Sequence, residues 1–322
     1  MRPKAFSVAV ISLFVTGAAF ATFLYEGEWG SLGTVNGRFN RPKGVDVAAN
    51  GNVYVADTYN HRIQFFTATG SFLGKWGDQG GDPGQFRYPE GIALAPNGNV
   101  YVADTQNYRV QYFTPTGSFL GAWGSRGSGN GEFDRAHGLC VAPNGNVYVV
   151  ESQNYRVQYF TAAGSYLGQW GSRGRGQGQF NAPQDGEVSP SGDRVYVVDQ
   201  LNNRIQYFTP TGSYLWLWGG PGTGNGEFDY PRSIAIMSNG TVFVADYLNH
   251  RLQYFTANGS FLGKWGSEGA GRGEFNKPEG VAVSNSPPRV YVGDTMNHRI
   301  QYFRGTVAVV PSSLGRIKAL FE

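Results

Sequence analysis

The 322-residue chain has one cysteine, Cys140. A single thiol excludes an internal disulfide, so no covalent staple holds the fold. Charged residues make up only 15% of the chain and sum to a formal +3. That is well below the roughly 25% of ordinary domains. It lacks the strongly basic surface that usually accompanies nucleic-acid binding. Histidine is also scarce, with four in all. No apolar run reaches the ~20 residues that a membrane-spanning helix needs.

Two residue classes are abundant instead. Glycine accounts for 48 residues, and Trp, Tyr and Phe together for another 48. So much glycine opposes a coiled coil or helical array. So many aromatics oppose disorder. The glycines show no three-residue period, which excludes collagen. Short strands joined by tight turns fit both excesses.

The first 21 residues read as an export signal. Arg2 and Lys4 precede an apolar stretch from Ala5 to Phe20, and Ala19-Phe20-Ala21 has the A-x-A form of a cleavage site. No cysteine follows that would carry a lipid. Cleavage after Ala21 removes two bases and no acid, leaving a mature net charge of +1. The expected location is secreted or periplasmic, with no membrane span in the mature chain.

Beyond the leader the chain repeats itself. Trp-Gly pairs begin at Trp29, Trp76, Trp123, Trp170, Trp218 and Trp265, spaced 47 or 48 residues apart, and a Phe follows each Trp ten residues on. In the unit starting at Phe86, GIALA reads as a short apolar strand a and PNGN as a tight turn. VYVAD reads as strand b and YRVQYF, alternating with period two, as strand c. TPTG is a second turn and SFLGAWG is strand d. Four antiparallel strands per 40–50 residues describe a propeller blade. The last unit supplies only strands a to c, ending near Phe303. The missing strand lies at the other end of the chain, where LYEGEWG (residues 24–30) aligns with SFLGKWG (residues 71–77). The expected fold is therefore all-β: a six-bladed propeller of four-stranded blades spanning residues 22–304, closed by the N-terminal strand pairing with the last blade. Residues 305–322 form a tail in which a short helix fits LGRIKALFE.

The string V-A-D-x-x-N-x-R-[IVL]-Q-x-F, seen at residues 55–66, 102–113 and 244–255, resembles the NHL repeat. The other units depart at the edges, with Glu151 for Asp, Val198 for Ala and Gly293 for Ala. The resemblance implies a six-bladed propeller and leaves function open, because fold does not fix function. NHL propellers include RNA-binding domains, sensor ectodomains, protein scaffolds and the peptide-amidating lyase.

Within this chain, what recurs in all six units serves the blade. The Asp or Glu ending strand b (Asp57, Asp104, Glu151, Asp199, Asp246, Asp294) is followed five residues later by Arg. Such pairs brace a turn by charge-assisted hydrogen bonds. What fails to recur is where function is sought. The residue at the position after the Pro of F-x-x-P-x-G is Lys43, Glu90, His137, Gln184, Arg232 and Glu279 in turn, with Ala136 standing in place of the Pro before His137. This polar, mixed-sign set is the expected ligand-contacting ring at the channel mouth. The amidating lyase's zinc implies several histidines at this position, and only His137 occupies it. His61, His250 and His298 sit after the Asn of the b–c turn and are expected to lie away from the channel entry loop. No metal or other cofactor is expected, and no catalytic residue is assigned. A Cys140–His137 pair lacks a third group and an oxyanion site.

Blade four breaks symmetry most. Trp216 replaces the Gly of strand d, Leu217 follows it, and Tyr214, Trp216 and Trp218 are spaced to share one face. Tyr214, Trp216 and Leu217 are an expected partner patch for a protein or a carbohydrate. QDGEVS replaces EGIALA there, adding Asp185 and Glu187 near the channel. Arg126, Arg173 and Arg175 tint two Gly-rich loops basic, a poor basis for nucleic-acid binding in an exported chain. The expected function is a binding or scaffold module. The alternatives are a lyase- or hydrolase-type enzyme using the channel mouth and, more weakly, nucleic-acid binding.

Overall fold

The computed structural model describes residues 20–307. The leader up to residue 19 and the tail beyond residue 307 lie outside it. Six four-stranded antiparallel sheets stand around a central channel. The described residues contain no helix beyond short 3-10 turns, and none long and apolar enough to cross a membrane.

Blade 1 shows the plan with Val45–Val47, Val53–Asp57, Arg62–Phe66 and Phe72–Trp76 as strands a to d. Strand a lies at the channel and strand d at the rim. Strand b is buried throughout, as its near-continuous apolar sequence requires. Each strand d carries an irregularity after its first residue. The extra residue turns the flanking aromatics to opposite faces. Phe119 packs on Phe113 of its own blade at 5.9 Å, and Trp123 on Phe160 of the next at 5.7 Å. Each of the six tryptophans of the Trp-Gly pairs thus bolts one blade to its neighbour.

The sixth sheet has the order expected for closure. Phe20–Trp29 pairs with Arg299–Val307 beside Pro288–Asp294 and Pro278–Asn285. The closing strand begins two residues before the expected cleavage point, and its register from Phe23 to Trp29 lies wholly after it. Phe23 is buried and stacks on Trp265 of blade 5 at 5.1 Å. Arg289 grips Glu26 with two hydrogen bonds, and Arg299 reaches Glu28 at 2.8 Å.

The recurring D-x-x-N-x-R-x-Q signature forms one buried hub per blade. Asp104 accepts from the Arg87 backbone N–H, Asn107 Nδ2, Arg109 Nε and Gln111 Nε2, all within 3.0 Å. The same Arg109 and Gln111 donate onward to carbonyls of the Gly-rich loop at Asp82 and Gln85. That loop is tied down by this hub rather than free in solvent. Glu151 serves blade 3 in the same role, holding Asn154, Arg156 and Gln158.

Candidate functional site

The lead-in to each strand a turns sharply inward. The residue before the Pro takes a left-handed backbone, with φ of 51° at Arg41, 49° at Tyr88 and 57° at Lys277. The residue after the Pro is thereby delivered to the channel mouth. Around the axis the strands crowd. A Cβ on Gly91 would stand 2.3 Å from the His137 carbonyl oxygen, and one on Gly280 2.0 Å from that of Lys43. Glycine at this position in four of the six blades, with Asp185 and Ser233 in the other two, lets the strands meet, and the preceding side chains gather in one cavity of about 250 Å³.

The six expected ring residues all line this cavity. Four form a continuous string of ion pairs and a hydrogen bond across blades 6, 1, 2 and 3. Glu279 lies 3.7 Å from Lys43 Nζ, Lys43 3.1 Å from Glu90, and His137 Nδ1 2.6 Å from the other Glu90 oxygen. Burial opposes the Glu90 charge, but His137 and Lys43 outweigh it and hold the carboxyl well below the usual range. Burial also opposes the charge on Lys43, and Glu90 and Glu279 outweigh it, raising that pKa. An ionised Glu90 can only accept, so His137 Nδ1 carries the proton of this bond. His137 Nε2 then has no partner among the described residues. The remaining two residues pair separately: Arg232 Nη1 donates to Gln184 Oε1 at 2.9 Å, with its guanidinium 4.7 Å above the Tyr247 ring.

Below the mouth the wall turns acidic. Asp46, Asp185 and Glu187 are half-buried there, and Cys140 is buried beside them. Burial pushes Asp46 up to about 6 and Asp185 up to about 7. Burial, followed by the Asp46 charge, pushes Glu187 well above the ordinary range. The Cys140 thiol is pushed well up by burial and then by Glu187. Two of these carboxylates have partners in a neighbouring blade. Asp46 accepts the Leu94 N–H of blade 2 at 2.8 Å, and Asp185 the Ile234 N–H of blade 5 at 3.2 Å. They cap backbone donors that the innermost strand edges leave open. Among the described residues no group of three or more His, Cys, Asp or Glu has the arrangement to hold a metal.

The other histidines sit elsewhere than expected. His61, His250 and His298 are not remote from the lead-in loops. Each Nδ1 accepts the backbone N–H of the next blade's left-handed residue: Tyr88 at 3.1 Å, Lys277 at 3.3 Å and Arg41 at 3.0 Å. Asn203 does the same for Tyr230 at 2.9 Å. The motif alignment placed these side chains in the b–c turn correctly, but the contact crosses to another blade.

The expected patch on blade 4 is narrower than its spacing implied. Trp216 is 58% exposed, and the irregularity at Leu215 exposes that residue too. The same irregularity turns Tyr214 to the opposite face, where it packs on Phe208 at 6.1 Å. Leu217 is half-buried opposite Gln206, and Trp218 is buried against Phe255.

Residues 39–66, 86–113, 133–160 and 228–255 match the NHL repeat. The unmatched blades 4 and 6 are where QDGEVS and the divided closing sheet depart from the pattern. The B-box type zinc finger protein ncl-1 of Caenorhabditis elegans and the protein brain tumor of Drosophila melanogaster are each 45% identical to this chain over 49 residues, 15% of its length. The match spans only 6% and 5% of those relatives. Among solved structures, a streptogramin B lyase superposes with a TM-score of 0.61 at 12% identity, covering 88% of this chain and 98% of that one. Hydrazine synthase of Kuenenia stuttgartiensis gives 0.60 at 12% over 85% and 98%. A catalytically inactive histidine variant of virginiamycin B lyase from Staphylococcus aureus, with quinupristin, gives 0.60 at 12% over 90% of both chains. At such identities the likeness concerns fold alone. With four matched repeats and six blades closed by the N-terminal strand, the chain belongs to the NHL-repeat six-bladed β-propellers.

Proposed function

We propose that this protein is an exported binding propeller, secreted or periplasmic, that holds a polar ligand or a segment of a partner protein at its channel mouth. One observation carries this reading. At six positions made equivalent by the repeat, five kinds of polar side chain, with Glu at two of the six, converge on one cavity, in a chain whose other recurring polar positions repeat closely. A position that serves only the blade has no reason to change in charge and kind from blade to blade. Trp216, bare on the outer rim, offers a second contact for a protein or carbohydrate partner.

The test is capture from native culture medium or envelope with wild-type protein and a Lys43→Ala/His137→Ala variant of unchanged melting temperature. A ligand or partner retained by the first and lost by the second supports the mouth. Equal retention by both rules it out. Sequencing the N-terminus of the protein made in a native host tests export, for which a start at Thr22 is expected and an intact leader is not.

One observation favours the enzymatic alternative. His137, oriented through Nδ1 by an ionised Glu90 and free at Nε2, has the arrangement of a general base with its orienting carboxylate. A lyase or hydrolase using it would lose turnover in His137→Ala with binding retained. Quinupristin, named with one structural neighbour, is a direct first substrate to try.

A further inference from the structure

The mouth is electrically lopsided. On one arc Lys43 stands between two carboxylates, and His137 faces a third carboxylate oxygen. On the other arc Arg232 has no carboxylate within 4.0 Å among the described residues. It hydrogen-bonds the neutral Gln184, and its Nε is buried without an acceptor among the described residues.

Arg232 is nonetheless held in place. Tyr247 lies under the guanidinium at 4.7 Å, and Gln184, itself 8% exposed, fixes Nη1. Lys277 stands 5.7 Å from the same Tyr247 ring and adds positive charge to this side. A half-buried guanidinium without a counter-ion is costly unless something pairs with it. Elsewhere in this protein each of the six hub arginines, one per blade, has a carboxylate at 2.6–2.8 Å. Arg232 is fixed in orientation and left open toward the cavity.

Resting on the reading of the mouth as a ligand site, we propose that Arg232 is the anchor for a ligand carboxylate, with Tyr247 and Gln184 as its positioning residues. A planar monoanion matches a guanidinium edge. A phosphate dianion fits less well, because Glu90 and Glu279 share the cavity and repel the second charge. Asp46, Asp185 and Glu187 line the wall below. Apart from Lys43 and Arg232 no Lys or Arg among the described residues lines the cavity, so the wall below offers the anion no second cation. The cavity, about 250 Å³, is just below the 300–1,000 Å³ of drug-sized sites. It therefore takes either a small free carboxylate or the carboxyl end of a chain.

The experiment is calorimetric titration of the purified protein with propionate, N-acetyl-Gly-Gly free acid, the same peptide amidated, inorganic phosphate and propylamine. Wild type should bind propionate, the free-acid peptide or both, and should reject the amide and the amine. Peptide binding without propionate binding identifies a chain end. Arg232→Gln should weaken carboxylate binding at least about tenfold, the scale of one charge-assisted hydrogen bond, with Arg232→Lys between. If Arg232→Gln does not fold, Tyr247→Leu, which removes the stacking platform, should weaken the same ligands. Equal carboxylate affinity in the variants overturns the proposal, as does phosphate binding without carboxylate binding. Binding of only the amine or the amide, sensitive to Lys43→Ala, overturns it while leaving the mouth as a ligand site. No binding of any probe overturns it too, and the capture experiment then decides the mouth separately.

Discussion

His298 Nδ1, in the last blade, accepts the backbone N–H of Arg41, in the first, at 3.0 Å. The bond crosses the seam where the ring closes and requires an imidazole unprotonated at Nδ1. His61 does the same between blades 1 and 2. Burial, and then the Arg41 charge, lower the His298 pKa from its ordinary 6.5, with Asp57 and Asp294 pulling the other way. For His61 burial lowers it and Arg87 adds, against Asp104 and Asp57. The unfolded chain therefore takes up these protons first. Their contribution is present above about 6.5 and is lost as pH falls through the lowered values. Asn203 makes the same contact without titrating, and Asn tolerates the left-handed backbone that His298 adopts. His298→Asn is expected to match wild type at pH 7.5 and to exceed it by about 1 kcal/mol at pH 5, the size of one net hydrogen bond. Urea unfolding at both pH values checks this. An unchanged difference between them would refute the latch.

Glu187 has the opposite pH sign. Burial first, and the Asp46 charge second, raise its folded-state pKa above the ordinary 4.5. The folded protein holds that proton more tightly than the unfolded chain, so the stabilising effect is present below about 4.5 and is lost as pH rises. Oε1 accepts the Val188 N–H at 2.9 Å, a bond that an amide oxygen can keep. Glu187→Gln is expected to equal wild type near pH 4.5 and to melt at a higher temperature at pH 8. Cys140 reports the same change independently, because its thiol is buried beside Glu187. Buried Cys140 reacts with a disulfide reagent only through opening, so its reaction should slow in the more stable variant at pH 8.

The Asp104 hub supports a prediction of larger size. Four donors converge on this buried carboxylate, and two of them also hold the Gly-rich loop. Asp104→Ala leaves Arg109 and its neighbours without their acceptor. The expected cost is about 3–5 kcal/mol, the range for removing one partner of a buried ion pair. Proteolysis within residues 77–85 should rise in step. A loss under 1 kcal/mol would show that the loop carbonyls alone suffice for Arg109.

The repeat made much of this legible from sequence. Six Trp-Phe spacings gave the blade count, and the absent strand after Phe303 gave the closure. The ring of Lys43, Glu90, His137, Gln184, Arg232 and Glu279 was found by aligning the chain with itself, because a lead-in loop must deliver equivalent residues to equivalent places. Contacts that cross blades were not legible. The histidine latches, and the carboxylates of Asp46 and Asp185 on neighbouring strands, join residues 27 to 49 positions or most of the chain apart, and no local pattern records them. The face of Tyr214 was misread for a related reason. A period of two holds only along a regular strand, and one extra residue reverses it.

Gly121 and Trp216 occupy the same position in blades 2 and 4. A Cβ on Gly121 would lie 2.6 Å from the Tyr112 ring, which stacks on Tyr101 at 17°. In blade 4, where Trp216 stands opposite Tyr207, the equivalent Tyr196–Tyr207 pair is tilted to 34°. Gly121→Ala is expected to cost about 1–3 kcal/mol through overpacking. Trp216→Gly should cost under about 1 kcal/mol, because the ring is mostly in water. A large loss of stability in Trp216→Gly would mean that the residue serves the blade and not a partner.

Closure carries the most drastic expectation. Residues 22–29 pair with Arg299–Val307, bury Phe23 against Trp265, and place Glu26 and Glu28 on Arg289 and Arg299. Removing them exposes a whole strand edge on blade 6 and the face of blade 5 that Phe23 covers. The truncated protein is expected to aggregate or to unfold well below the wild-type melting temperature. Supplying residues 22–29 as a free peptide should raise that temperature in proportion to the logarithm of its concentration once binding saturates. Glu26→Gln/Glu28→Gln, by contrast, touches only exposed or half-exposed charges and should cost about 1 kcal/mol or less. A soluble truncation with unchanged melting would show that the ring stands without its N-terminal strand.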